Sequence, residues 1–449
     1  MNKFFSNVTK LSIPLFLTNT TYCKKFYTQE DLNKNNGQNG NPYWISVKNK
    51  IYDITDFIKI HPGGDFIKLA AGSSVEPFWN KWPIHYNNSN VDLILKTNEI
   101  GFLSDYKEVI LPDLFDNEPI RENNFNIFTI KPFNCETKPE LLIKNQITPI
   151  EYLYIRNHSI VPDISEKSII LIGTKNGDLE INLENIKTFD IVSVLQCAGN
   201  RQIDNFNVNG KNLFSDGPFK YSNNGEMGNI KWSGYCLKEL LNKYYPEVIQ
   251  EENSVKEEKW HVIFTGYDDY VSSIPLKIIL SSPSIIANKA NDKYLTQDHG
   301  YPLRLIVPGI IGARNVKWIE SIELSKKSSN MPWNRHYYND ENNNNLMKLP
   351  IQSIILKHEI IDDKILIQGV AYNSSAEIKK VEVYDGKSWH IADIEASLGH
   401  YSWRRWKILL KNNSDKYYSK ATDIFGNSQP EKSDKNNGYI YNGYSLLEL

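Results

Sequence analysis

The sequence predicts a multidomain α+β chain, on three observations. Its 449 residues exceed what one ordinary core organises, so about two to four domains are expected. Strand-like and helix-like runs mix as far as Val307, whereas the stretch beyond Ser329 carries strand periodicity almost alone. Apolar content of 40% with 12% aromatics supports folded cores rather than disorder.

The elements follow in order. Residues 1–26 hold Lys3, Lys10, Lys24 and Lys25, several Ser and Thr, and no acid precedes Glu30. That reads as a mitochondrial presequence with lysine in place of arginine. The apolar run Leu11–Leu17 keeps a secretory signal open as the alternative. Residues 27–103 form a first unit, with short strands at Trp44–Val47 and Ile51–Ile54, a polar loop at Asn33–Asn41, and helical stretches around two histidines. Charges and prolines without apolar periodicity mark 104–124 as a linker. Residues 125–328 are mixed: Ser168–Ile172, Ile191–Gln196, Trp260–Phe264 and Leu303–Val307 read as strands, and Cys236–Tyr245 as a helix. In 329–449, Ile365–Ala371 and Val381–Tyr384 alternate, and Asp385-Gly386 is a hairpin turn signal. A small β-sandwich suits such strands. Asn342–Asn345 is a polar tract expected in a surface loop.

Composition also excludes. A formal net charge of −2 argues against nucleic acid as a bulk partner. The four cysteines, Cys23, Cys135, Cys197 and Cys236, make no CxxC pair and no disulfide framework. No apolar run approaches the roughly 20 residues of a membrane span.

Two segments carry histidines of interest. In IKIHPGGDFIKLAAG, proline presets a turn after His61, and two glycines clear side chains where a flat macrocycle must approach the backbone. His85 stands in EPFWNKWPIHYNN. Two imidazoles from opposite sides would close both axial positions of a haem iron, leaving electron transfer as its chemistry. A lone histidine is more often a surface or capping residue. The HPGG context, with Tyr52, Ile54 and Phe57 before it, resembles the cytochrome b5 family over nearly the whole first unit. The resemblance implies haem b, with His61 and His85 as its axial ligands.

A second group surrounds Cys197. In SVLQCAGNR a strand-like run delivers this thiol into a Gly-containing loop, a position open to a metal-bound thiolate, a nucleophile or a buried core cysteine. The same unit holds YIRNHS, FTGYDD and QDHGYPLRLIVPGIIGARNVKW, followed later by MPWNRHYYND. Together, and in this order over about 300 residues, these segments resemble the sulfite oxidase family. The resemblance implies a molybdopterin cofactor (Moco) with Cys197 as the protein ligand to molybdenum. It places Arg156, Asn157, His158, Asp268, His299, Arg304, Asn315, Val316 and Lys317 around the pterin and its phosphate. It also implies an immunoglobulin-like sandwich that builds a homodimer, although the sequence ends at GYIYNGYSLLEL, short of the family's last strand.

For substrate, the resemblance implies Arg156, Arg404 (in YSWRRWKI) and Tyr338 (in WNRHYYND) in a sulfite pocket. Packing of Trp403 and Trp406 against their arginines is the plainer reading of that first motif. The pattern departs at Arg201-Gln202, where an arginine pair is expected. Gln202 then occupies a substrate-contacting position, Tyr221 stands in for a pocket tryptophan, and Arg201 or Arg405 could compensate. The family's reaction is oxygen-atom transfer converting sulfite to sulfate at molybdenum. Electrons leave singly through haem to cytochrome c in the mitochondrial intermembrane space. A nitrate reductase-like enzyme would place the haem unit last and add a flavin module; a non-catalytic haem electron carrier is the other alternative.

Overall fold

The computed structural model describes residues 24–449 except 87, 109–111, 166–167, 211–222, 255–258, 336, 341 and 434–438. Tyr221, Cys23 and nearly all of the expected leader lie outside the described residues. The chain divides into two compact units. One runs to Glu118 and includes His158–Ile160; the other comprises Pro119–Asn157 and Val161–Leu449.

The first unit is built on a five-stranded sheet in the order Phe26–Tyr27, Glu99–Leu103, Lys50–Asp53, Trp44–Val47 and Ser73–Ser74. Ile45, Tyr52, Ile54, Ala70 and Val75 bury one face, while Leu32, Ile51 and Leu103 bury the other. Period-two alternation therefore sends neighbouring strand residues to opposite cores. On the first face sit the short helices Phe57–Ile60, Gly64–Ala70, Glu76–Lys81 and Pro83–His85; His61 follows the first of them and His85 ends the last.

The second unit contains two mixed layers and a sandwich. Thr188–Gln196, Met227–Cys236 and Ile285–Ala290 pair antiparallel, and Arg304–Ile306 joins the edge of the last. A second sheet orders Val271–Pro275, His261–Gly266, Ile319–Ser325, Ser168–Thr174 and Gly177–Asn182. Helix Leu237–Tyr244 buries Leu237, Leu240 and Leu241 in the core that this sheet shares with Ile286 and Leu305. Each such side chain contributes about 1.5–3 kcal/mol on burial.

From Gln352 onward, two antiparallel sheets face each other. Gln352–Ile361, Lys364–Tyr372, Arg404–Lys411 and Asp393–Ile394 make one; Trp389–Ile391, Ile378–Tyr384, Lys416–Asp423 and Ser445–Glu448 make the other. Ile365, Ile367, Trp406 and Ile408 interleave with Val381, Val383, Tyr417 and Ala421 between them. Gly386, at φ +89°, turns the chain between Tyr384 and Trp389. The expected α+β multidomain architecture, with its all-β end, is the observed one. Pro119–Asn124, the end of the expected linker 104–124, groups with the second unit. Arg121 explains this: its guanidinium grips the Asp298 carboxylate at 2.7 and 2.8 Å and lies over the Phe133 ring.

Candidate functional site

In the first unit, the His61 and His85 rings stand 6.5 Å apart, centroid to centroid, with planes 17° from parallel. An imidazole nitrogen sits about 1 Å from its ring centre and metal–nitrogen bonds run about 2 Å, so two rings on opposite sides of one metal need roughly 6 Å. Nδ1 of His61 lies 3.0 Å from the Gly64 carbonyl, and Nδ1 of His85 lies 2.9 Å from that of Trp82. Donation to those carbonyls fixes the tautomer and turns each Nε2 lone pair towards a metal. Burial lowers both imidazoles, His61 to about 4, which keeps them neutral and able to ligate. A Cβ on Gly63 would come within 2.7 Å of His61 Cε1, so the ring needs glycine there. Trp79 stacks on His85 at 5.5 Å and Phe57 meets His61 edge-on. The donor set fits an axially ligated haem.

In the second unit, strand Thr188–Gln196 delivers Cys197 to a fixed turn. Past the last pair, Gln196 with Met227, Cys197 N donates to Glu226 O at 2.9 Å and Asn200 N to Cys197 O at 3.1 Å. Gly312 packs against the strand end, where a Cβ would sit 2.6 Å from the Tyr154 hydroxyl and 2.9 Å from Gln196 O. The Cys197 thiol is buried, with its Sγ 3.4 Å from Gly199 N. Burial pushes it up to about 12, with Glu226 adding and Arg156 opposing. A metal that displaces the proton converts such a thiol to thiolate.

Arg156 and Tyr338 share this space. Arg156 Nη1 lies 3.4 Å from a Glu226 carboxylate oxygen. Burial, then Cys197, raises the Tyr338 phenol to about 12. Tyr338 sits at φ +56°, a conformation that costs about 1–2 kcal/mol. Buried Arg314 supports it, donating to the carbonyls of Tyr338, Leu346 and Trp333 and to Asn345.

Cations gather beside this pocket. Arg304, 3% exposed, donates to the carbonyls of His299 and Asn315, yet its buried Nε has no protein partner. Lys317 donates to Asn157 Oδ1 and to the Asp298 carbonyl. Burial lowers Arg304 to about 10, Lys317 to about 7 and His299 to about 3. Desolvated cations with an unfilled donor suit an anionic group such as a phosphate. Among the described residues, no cluster of three or more His, Cys, Asp or Glu could hold a metal. A pterin dithiolene would supply further sulfur ligands to a metal bound at Cys197. The residues fit that cofactor.

Other expected positions take different parts. Asp268 is buried, with Oδ1 receiving Tyr270 N. The Asn315 side chain is used internally, accepting from Val307 N and donating to the Ile311 carbonyl. Val316 is buried, and its carbonyl receives Leu305 N. His158 groups with the first unit. Gln202 is fully buried at the start of helix Gln202–Asn209.

Arg404 departs from expectation. Its guanidinium donates to the carbonyls of Glu395 and Ile378, which ties the sandwich sheets together. Neither proposed compensating arginine is available. Arg201 is spent on Asp204, Gln352 and the carbonyls of Gly443 and Tyr444, and Arg405 on Glu395 and the carbonyls of Ile143 and Lys144. Trp403 and Trp406 are core residues, each at most 2% exposed. Sequence reasoning missed Glu226, Arg314 and Arg121. Arg314 lay inside the quoted GIIGARNVKW segment, whereas Glu226 gave no local signal.

Lys317 gives the cofactor-free protein a pH signature. An unfolded lysine titrates near about 10.4, above the lowered folded value. Between about pH 7 and 10 the unfolded chain binds more protons, so stability rises with pH there and levels off below. Thermal melts at both ends of that window should show the higher Tm at high pH, with a smaller gap in Lys317→Met. An undiminished gap in the variant would count against this assignment.

Residues 158–333 match the family described as "Oxidoreductase molybdopterin binding domain", and 28–104 match "Cytochrome b5-like Heme/Steroid binding domain". "Sulfite oxidase, mitochondrial" of Drosophila melanogaster is 30% identical, over 90% of this chain and 78% of its own. "Sulfite oxidase" of Gallus gallus is 28% identical, over 90% and 95% respectively. In fold, the chain is similar to the sulfane dehydrogenase SoxCD of Paracoccus pantotrophus, with a TM-score of 0.57, 20% identity, and coverage of 76% of this chain and 92% of that one. With this similarity along most of its length and both cofactor domains in place, the chain belongs to the sulfite oxidase family and is an oxidoreductase that uses Moco and haem b.

Proposed function

We propose that this enzyme oxidises sulfite to sulfate and passes the two electrons singly through haem b to cytochrome c. The observation that carries the reading is the buried Cys197 thiol with Arg156 and Tyr338 in its field, beside Arg304, Lys317 and the neutral imidazole of His299. Bound molybdopterin supplies oxygen-atom transfer and a two-electron sink.

The chain's own residues do the rest. Cys197 provides the protein thiolate. Arg156 offers a guanidinium to the sulfite oxygens, and the Tyr338 hydroxyl, still protonated at neutral pH, donates a hydrogen bond beside them. Arg304, Lys317, His299 and Asn157 hold the pterin's phosphate, with Asp268, Asn315 and Val316 shaping the loops around it. Gln202 lines the substrate side with an amide in place of a cation. In the first unit, His61 and His85 grip the haem iron. Arg404 and the tryptophans beside it brace the sandwich.

Electron exit through a separate haem unit makes residues 104–118 the tether that sets encounter between the centres. The sandwich is the dimer-forming part. We place the enzyme in the mitochondrion, which the names of its relatives support, and within it in the intermembrane space, where cytochrome c would be its acceptor. No described helix is long and apolar enough to cross a membrane. Sulfite-dependent reduction of cytochrome c by purified holoprotein tests the reading. Turnover that stops when sulfite is omitted supports it; no reduction by fully loaded protein contradicts it.

A further inference from the structure

Glu226 puts a carboxylate where an anion pocket has least use for one. It is 1% exposed, and its peptide is held on both sides: the carbonyl receives Cys197 N at 2.9 Å, and its own N–H donates to Asn200 Oδ1 at 3.1 Å. The next residue, Met227, pairs with Gln196 at the strand end that presents Cys197. The carboxylate is thereby fixed beside the thiol and 3.4 Å from Arg156 Nη1. Its charge reaches Arg156, Tyr154 and Tyr338 as well as Cys197. Arg201, fully buried, is committed to other partners. Burying a carboxylate costs solvation energy that only a paired geometry recovers. Arg156 forms that pair, at 3.4 Å, so part of the guanidinium charge is balanced before any substrate arrives.

We propose that Glu226 is a specificity-determining residue: by pairing with Arg156 it lowers the positive charge of the substrate pocket, so that dianionic product leaves readily. The inference deepens the sulfite reading and rests on it for the identity of the product, sulfate. A pocket with an unpaired Arg156 would grip sulfate and sulfite alike. With Glu226 in place, each oxyanion competes with a built-in carboxylate for one guanidinium.

The test is calorimetric titration of the holoprotein with sulfate, alongside kcat and KM for sulfite. Glu226→Gln should bind sulfate about tenfold more tightly, as one charge-assisted contact regained implies, and should lower the sulfite KM without raising kcat. Adding Arg156→Gln should erase that gain, while Glu226→Asp, which keeps the charge, should bind sulfate as weakly as wild type. Unchanged sulfate affinity in a molybdenum-replete Glu226→Gln protein overturns the proposal. So does loss of molybdenum from that variant, since Glu226 would then serve the Cys197 thiolate. Failure of wild type to oxidise sulfite would instead sink the proposed function, and the sulfate titrations would still decide the role of Glu226.

Discussion

Cys197→Ser should cut sulfite-dependent cytochrome c reduction by more than about a hundredfold, because even the partners that merely orient metal ligands are worth 10–100-fold. The loss should be specific. Serine is nearly isosteric, and the turn that presents position 197 is held by backbone bonds that do not involve sulfur, from Cys197 N to Glu226 O and from Asn200 N to Cys197 O. The variant should therefore fold and keep its haem spectrum. A hydroxyl cannot replace the thiolate: it is a harder donor, and its proton is held more firmly still in a site that already pushes the thiol up to about 12. Absorbance of the haem under sulfite separates the cases. Wild-type haem should be reduced on adding sulfite and Cys197→Ser haem should not; equal reduction in both would break the assignment.

His85→Ala should produce the second large effect, by ending electron exit instead of substrate oxidation. The His85 ring is fixed by its bond to the Trp82 carbonyl and by stacking on Trp79, and it faces His61 at 6.5 Å. Losing it would leave His61 as the one imidazole of the pair able to hold the iron, and should weaken haem retention. Reduction of cytochrome c should fall by about a hundredfold or more, the scale set by ligand-shell losses. Sulfite oxidation assayed with a small dye that accepts electrons at the molybdenum site should persist. Retention of full haem and full cytochrome c reduction would refute the ligand assignment.

Much of this was legible because the chemistry is written in contiguous segments. HPGG carries the turn, the missing side chains and the ligand in four positions, and the structure shows why: Gly63 has no room for a Cβ beside His61. LQCAGNR likewise combines a strand end, a turn and the thiol. The strands around Ile365–Ala371 and Val381–Tyr384 declared themselves through alternation, since Ile365, Ile367, Val381 and Val383 point into the sandwich core. What stayed hidden depends on residues far apart in sequence. Arg404 reads as a pocket cation until its partners, Glu395 and Ile378, are seen to be carbonyls of the sandwich. Arg121 reads as linker until it meets Asp298. Glu226 looks like any exposed acid in a Gly-rich stretch until the strand pairing of Gln196 with Met227 brings it against Arg156 and Cys197.

Metal analysis of protein produced with ample molybdate tests the central claim most directly, that a pterin-held metal sits on the Cys197 sulfur while two imidazoles hold iron in the first unit. Molybdenum and iron should each be found at about one per chain, with molybdenum alone lost in Cys197→Ser. Iron without molybdenum in the wild-type protein would contradict it.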